Sequence, residues 1–122
     1  KILKMSPAAI HKRIKRLKSA GIIDRFTVLL NAQKLGKTLK AFVGISTAPG
    51  SCAQVIEALR QRPEILEIHE IAGEHDLFVK IITEDTVALN QILHQIDSIS
   101  GISSTRTLIV LKTEKETSAL PL

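Results

Sequence analysis

The chain has 122 residues, of which 44% are apolar and 24% charged, and its formal net charge is +5 at pH 7. This composition is typical of one globular domain or a small domain with an appendage, and no apolar run reaches the ~18 residues of a membrane-spanning helix. A single cysteine, Cys52, excludes an intrachain disulfide. We therefore expect a cytoplasmic protein that makes no membrane contact.

The positive charge is concentrated at one end. Residues 1–23 contain seven Lys or Arg and no acid, whereas residues 24–122 contain ten Lys or Arg and all twelve acids. A basic end on a nearly neutral body indicates a polyanion-binding arm, although a solvated helix face is the alternative. Three Phe and no Tyr or Trp leave little for base stacking, which favours duplex DNA over single strands.

The basic end predicts a helix. Ser6 and Pro7 are typical of an N-cap and a first helical position, and Gly21 is typical of a helix end. The apolar stripe follows at i, i+4 and i+7 as Ile10, Ile14 and Leu17. Residues 22–31 predict a strand, and we assign residues 24–39 to a linker strand and connection between arm and body.

The body, residues 40–113, predicts strands at 40–47, 64–72, 77–83 and 102–112. Helices fall between the first and second strands, begun by Ser51 and stopped by Pro63, and between the third and fourth, capped by Asp85. Gly73 is expected to supply a positive φ in the turn at residues 73–76. This βαββαβ order predicts an α+β, ferredoxin-like fold, an antiparallel sheet with both helices on one face. The tail, residues 114–122, is expected to fray.

The strand alternation leaves an apolar surface on the other face of the sheet. Leu77, Val79 and Ile81 lie on one side of the third strand, and Phe78 and Ile82 lie on the other. A large exposed apolar sheet is unusual on a monomer, so we expect this face to pack against a second copy in a two-fold dimer.

The sequence SPAAIHKRIKRLKSAGIID resembles the recognition helix and exit of the Lrp/AsnC (feast/famine) transcription regulators, in the pattern S-x-x-x-[VI]-x-x-R-[IV]-x-x-L followed by x-x-x-G-[VI]-I. Leu35-Gly36 resembles the family's linker ending, residues 73–76 its G-x-x-D turn, and residues 104–107 (STRT) its final-strand motif. The resemblance covers residues 3–115. It implies a DNA-binding transcription regulator with a helix-turn-helix, assembled from homodimers into larger rings, often octamers.

The resemblance assigns residues 1–23 to a partial helix-turn-helix domain. Base contacts are expected from the N-terminal part of the helix: Ser6, Ala8, Ala9, His11 and Lys12. Phosphate contacts are expected from Arg13, Lys15, Arg16 and Lys18, with internal packing as the other role open to Arg13. The family has two helices before this one, and only five residues precede Ser6 here. We therefore expect further residues upstream of Lys1.

The resemblance also implies a small effector, typically an amino acid, bound between dimers. Asp76 can accept from an ammonium, and backbone N–H groups near Gly73 can donate to a carboxylate. The expected effector-binding residues are Gly73, Glu74, His75, Asp76, Thr86, Ser103, Ser104, Thr105, Thr107 and Leu108. No cofactor is expected.

Three alternatives remain. The chain can be an amino-acid-binding and oligomerisation module without effective DNA binding, or a small ferredoxin-like enzyme. The apolar strand faces and the absence of a Gly-rich phosphate loop disfavour an enzyme. A metal site in the acid–histidine cluster is disfavoured because no ligand pair fixes a geometry. This cluster comprises Glu67, His69, Glu70, Glu74, His75 and Asp76.

Overall fold

The computed structural model describes residues 7–19, 34 and 36–121. The chain divides into two units, residues 1–30 and residues 31–122. In the first unit, helix α1 is Pro7–Ser19, so the predicted helix is confirmed over these residues. The predicted cap Ser6, the helix end Gly21, the strand at 22–31 and Leu35 lie outside the described residues.

The second unit has the predicted βαββαβ order. Its elements are β1 (Leu39–Thr47), α2 (Cys52–Arg60), β2 (Ile65–Glu70), β3 (Leu77–Thr83), α3 (Thr86–Asp97) and β4 (Ile102–Ile109). The strands form one sheet in the order β2-β3-β1-β4, in which all neighbours are antiparallel. The ferredoxin-like prediction is confirmed. None of the described helices is long and apolar enough to cross a membrane.

The core lies between one face of the sheet and the two helices. On the central strands, Val43 and Ile45 pair with Val79 and Leu77, and all four are fully buried. The helices contribute apolar stripes, which include Val55 and Leu59 from α2 and Leu89, Ile92 and Ile96 from α3. Because side chains alternate between faces along a strand, every second residue of β1 and β3 is committed to this core.

The N-caps of α2 and α3 differ from each other. Asp85 has an extended backbone, and its Oδ1 accepts the backbone N–H of Ala88 at 2.9 Å, so the predicted cap is confirmed. Ser51 occupies the N-cap position of α2, but its side chain makes no cap hydrogen bond. The reason is its helical backbone (φ −103°, ψ −3°), whereas a capping side chain needs an extended one.

The sheet face turned away from the helices, called the open face below, is only partly apolar. Phe42 and Phe78 stack there with ring centroids 5.4 Å apart. Lys40, Lys80 and Arg106 have the same strand parity as these rings and lie on the same face. The prediction of an apolar second face therefore holds for its aromatic centre and is wrong for the positions taken by these cations.

The tail neutralises two of those cations. Glu116 accepts from Lys40 Nζ at 3.0 Å and from Lys80 Nζ at 2.8 Å, although both lysines have side chains only about one sixth exposed. The hydrogen bond from Lys80 holds the pKa of Glu116 below its usual value, and the carboxylate raises the pKa of Lys80. The prediction that the tail frays is wrong at Glu116, because this ion pair holds the tail to the sheet.

We expect Glu116→Gln to lower the free energy of unfolding at pH 7 by about 1 kcal/mol or less, since water screens a half-exposed carboxylate. The lowered pKa of Glu116 makes its contribution complete at neutral pH and lost as the pH falls through that pKa. The raised pKa of Lys80 sets the alkaline limit, where the contribution is lost as the pH rises through it. Urea titrations of wild type and Glu116→Gln should therefore give the same free energy of unfolding in acid.

The control is Glu114→Gln. Glu114 lies 3.5 Å from Lys112, and both side chains are 78% exposed, so its removal should leave stability unchanged. Equal losses in the two variants would show that the tail carboxylate does not hold the sheet.

Candidate functional site

Helix α1 presents a basic surface. The side chains of Ala8, His11, Lys12, Lys15 and Arg16 are exposed, and their spacing places them along one side of the helix. Arg13 is exposed as well, whereas Ala9 is half-buried. The side chain of Lys18 lies outside the described part of the chain. No acidic residue occurs in the helix, so these cations face no compensating charge within α1.

Asp76 ties the β2–β3 loop (residues 71–76) to the end of β1. Its Oδ2 accepts the backbone N–H of Thr47 at 2.8 Å and the Thr47 hydroxyl at 3.1 Å. Its backbone N–H donates to the Ile45 carbonyl, and its own carbonyl accepts the N–H of Ile71, both at 3.0 Å. A charged acceptor strengthens such bonds, so Asp76 fixes the loop just before β3 begins at Leu77.

His75 packs against the open face above Gly44. A Cβ at Gly44 would lie 2.6 Å from the His75 Cδ2, closer than any real contact, so only a glycine leaves room for the ring. On its other side, His75 Nδ1 lies 3.1 Å from the Ser46 Oγ, within hydrogen-bond distance. The imidazole is therefore held by two positions of β1 that share its face.

A shallow depression of about 270 Å³ lies beside this imidazole. It is lined by Gly44, Glu74, His75, Phe78, Arg106 and Leu108. Its size is near the lower end of the ~300–1,000 Å³ usual for small-molecule sites. It combines a carboxylate, a guanidinium and two apolar side chains, which is the chemistry that a zwitterion with an apolar side chain would meet.

Gly73 differs from the turn residue that the sequence predicts. The described glycines with positive φ are Gly36, Gly50 and Gly101, and Gly73 is not among them. A Cβ at Gly73 would meet nothing within 4 Å. The prediction of a positive φ at Gly73 is therefore wrong, and the backbone of the loop does not itself require a glycine at this position.

The predicted final-strand residues divide between the two faces. Ser103 Oγ donates to the Ser46 carbonyl at 3.1 Å, and Ser104 pairs with Ser46 in the β4–β1 register. Thr105 and Thr107 pair with Ile45 and Val43 and therefore lie on the helix side. There Thr105 Oγ1 donates to Asp97 Oδ1 at 3.1 Å. The structure does not bring these two threonines to the depression.

Thr86 is also separate from the loop within one chain. It is the first residue of α3, which follows the Thr83 end of β3, whereas the loop joins the Leu77 end. Seven strand residues at ~3.3 Å each separate the two ends. Leu108, by contrast, lies in the depression as a predicted site residue should.

Sequence reasoning missed Gly44, Thr47, Phe78 and Arg106 as members of the site. A glycine inside an otherwise β-branched and aromatic strand signals a close approach at that position, and Gly44 was such a signal. Arg106 lies within the STRT motif and faces the depression because it pairs with Gly44. Thr47 has no comparable sequence signal, because its role depends on where β3 begins.

The acid–histidine cluster forms ordinary surface contacts. Glu67 Oε1 lies 3.0 Å from His69 Nε2, and this hydrogen bond lowers the pKa of Glu67. Within residues 7–19, 34 and 36–121, no group of three or more His, Cys, Asp and Glu side chains is placed to hold a metal ion.

The four-stranded sheet, its two helices on one face and the loop fixed on the other define a small α+β ligand-binding domain. Residues 40–120 match the Lrp/AsnC ligand binding domain. The HTH-type transcriptional regulator FL11 of Pyrococcus furiosus is 41% identical over 121 residues, 99% of this chain and 80% of FL11. This chain belongs to the Lrp/AsnC family of transcription regulators.

Two solved structures show the same fold over nearly the whole chain. Escherichia coli AsnC has a TM-score of 0.85 and 29% identity, covering 96% of this chain and 80% of AsnC. A transcriptional regulator of Neisseria meningitidis, solved in complex with L-methionine, has a TM-score of 0.85 and 28% identity. This match covers 96% of this chain and 78% of that regulator.

Proposed function

We propose that this protein is a cytoplasmic, DNA-binding transcription regulator whose ligand-binding domain responds to an amino acid. The observation that carries the proposal is the depression lined by Glu74 and Arg106 on a domain of the Lrp/AsnC type. The carboxylate, the guanidinium and the two apolar side chains that line it match the ammonium, carboxylate and side chain of a free amino acid.

The exposed face of α1 supports duplex DNA as the second partner. Lys15 and Arg16 can contact phosphates, and the proposed base contacts Ala8, His11 and Lys12 precede them on the same side of the helix. FL11 and the Neisseria meningitidis relative are transcriptional regulators, which agrees with this role. Ser6, Ala9, Arg13 and Lys18 complete the proposed contact set.

We expect DNA binding by the complete gene product to weaken steeply with salt, because each phosphate contact releases counterions. Arg16→Gln should weaken binding to all sequences alike and reduce the magnitude of the log K against log salt slope by roughly 0.9 per lost contact. Fluorescence anisotropy on duplex DNA measures both quantities. Arg60→Gln, which removes an exposed cation from α2, is the control, and an affinity independent of salt would contradict the proposal.

The effector is proposed to bind at the β2–β3 loop. Glu74 is exposed and, in the described part of the chain, makes no hydrogen bond, so its carboxylate can receive an ammonium. Arg106 can pair with the carboxylate of the amino acid, and Phe78 and Leu108 can contact its side chain. Gly73 lets a ligand approach the backbone closely, a role that fits its open surroundings. The relative bound to L-methionine makes that amino acid the first to test.

Isothermal titration calorimetry with L-methionine and then the other nineteen amino acids should give heat for at least one of them. Asp76→Ala should abolish that heat, and Glu74→Gln should weaken binding tenfold or more because a neutral amide is a poorer partner for an ammonium. Glu70→Gln, which removes a carboxylate from the end of β2, is the matched control. Undiminished heat in Glu74→Gln would contradict this placement.

A dimer through the open face is the proposed basic unit. Because the depression lies on the same face, the proposal requires the two copies to meet beside it and to leave its Glu74 side open to the effector. The stacked Phe42 and Phe78 and the half-exposed Leu108 present apolar surface that the helices do not cover. Thr86 and the loop lie at opposite ends of β3, so groups from different copies can meet when dimers associate. We propose that an effector bound between dimers favours one assembly, up to an octamer, and thereby sets the spacing of the recognition helices.

Sedimentation equilibrium at micromolar concentration should give a dimer or a larger species. Leu108→Glu should shift it towards the monomer, because a charge replaces apolar surface at the interface. Leu66→Glu is the matched control, since Leu66 is 54% exposed against 50% for Leu108 and lies at the irregular start of β2. A monomeric wild-type protein would contradict the dimer.

A further inference from the structure

Where the pairing of β1 and β3 ends, the Asp76 side chain continues it. The last paired residues are Ile45 and Leu77, and the Ile45 carbonyl accepts the N–H of Asp76. Backbone groups two residues apart in a strand face the same edge, so the N–H of Thr47 points towards the line of β3 as well. That N–H meets the Asp76 Oδ2 at 2.8 Å, in the place of a carbonyl from a continuing strand.

This contact decides where the loop lies. Thr47 adds its hydroxyl to the same carboxylate oxygen, at 3.1 Å. His75, the residue before Asp76, lies against Ser46, the residue before Thr47, and over Gly44. Holding Asp76 therefore also holds His75 at the edge of the depression, and Glu74 next to it.

We infer that Asp76 is a positioning residue, which acts on the effector through Thr47 by fixing the β2–β3 loop and not by pairing with the ligand's ammonium. This inference rests on the proposed effector function. The two roles require different chemistry. Thr47 needs only an acceptor oxygen, which an asparagine amide supplies with the same shape, whereas an ammonium needs the negative charge.

The conservative variant separates the two roles. In calorimetry with L-methionine, or with whichever amino acid gives heat, Asp76→Asn should keep the Kd within about threefold of wild type, while Asp76→Ala gives no heat. Thr47→Val, which removes the hydroxyl but keeps the backbone N–H, should weaken binding by a few-fold. If Asp76→Asn loses binding as Asp76→Ala does, the side chain acts by its charge and the inference is overturned.

Hydrogen exchange tests the same inference without a ligand. In wild type and Asp76→Asn, the amides of Thr47 and Asp76 should be protected, and in Asp76→Ala both should exchange at least tenfold faster. The amides of Val43 and Val79, in the centre of the sheet, should stay protected in all three proteins and so report an intact fold. Unchanged protection of Thr47 in Asp76→Ala would overturn the inference.

Failure of the proposed effector function and failure of the inference about Asp76 give different results. If no amino acid gives heat with wild type, the proposed effector function fails, and the exchange of the Thr47 amide alone decides whether Asp76 positions the loop. If wild type binds and Thr47 is protected, the comparison of Asp76→Asn with Asp76→Ala decides it.

Discussion

The ligand-binding unit depends on one constraint, which is that a sheet has two faces and residues 36–121 provide helices for only one of them. Alternate residues of β1 and β3 enter the helix-covered core, among them Val43, Ile45 and Val79. The residues between them must then serve the other face. That requirement places Phe42, Gly44 and Phe78 side by side, and it determines where a ligand or a second copy can meet the domain.

The site arises where regular pairing stops. Up to Ile45 and Leu77 the backbone satisfies itself by the antiparallel ladder, and beyond that point the N–H of Thr47 has no strand to pair with. The Asp76 carboxylate provides the missing acceptor. The Asp76 side chain thus satisfies the Thr47 N–H of β1 and also fixes the position of the β2–β3 loop. It links the geometry of the sheet to the proposed effector chemistry.

Sequence pattern predicted the elements well because their signals are local. The Asp85 cap of α3 needs only neighbouring residues, and it is confirmed. The pairing of Glu116 with Lys40 and Lys80 joins positions 36 to 76 residues apart, and no periodicity records it. The family resemblance placed the loop correctly as a feature of the fold. It did not indicate that Asp76 bonds to Thr47, because that contact depends on the point at which two strands part.

The outer strands of the sheet have irregular edges. β2 carries a register shift between Ile65 and Glu67. β4 carries another opposite Ser46 and Thr47, where Ser103 is skipped in the strand register. Such bulges and the charged residues on β2 disfavour strand-to-strand addition of further copies. Copies that added strand by strand at the edges would form an assembly without a fixed size. Contact through the open face can instead be a two-fold contact that closes with two copies. The irregular margins of this sheet thus act against open-ended filaments built by edge pairing.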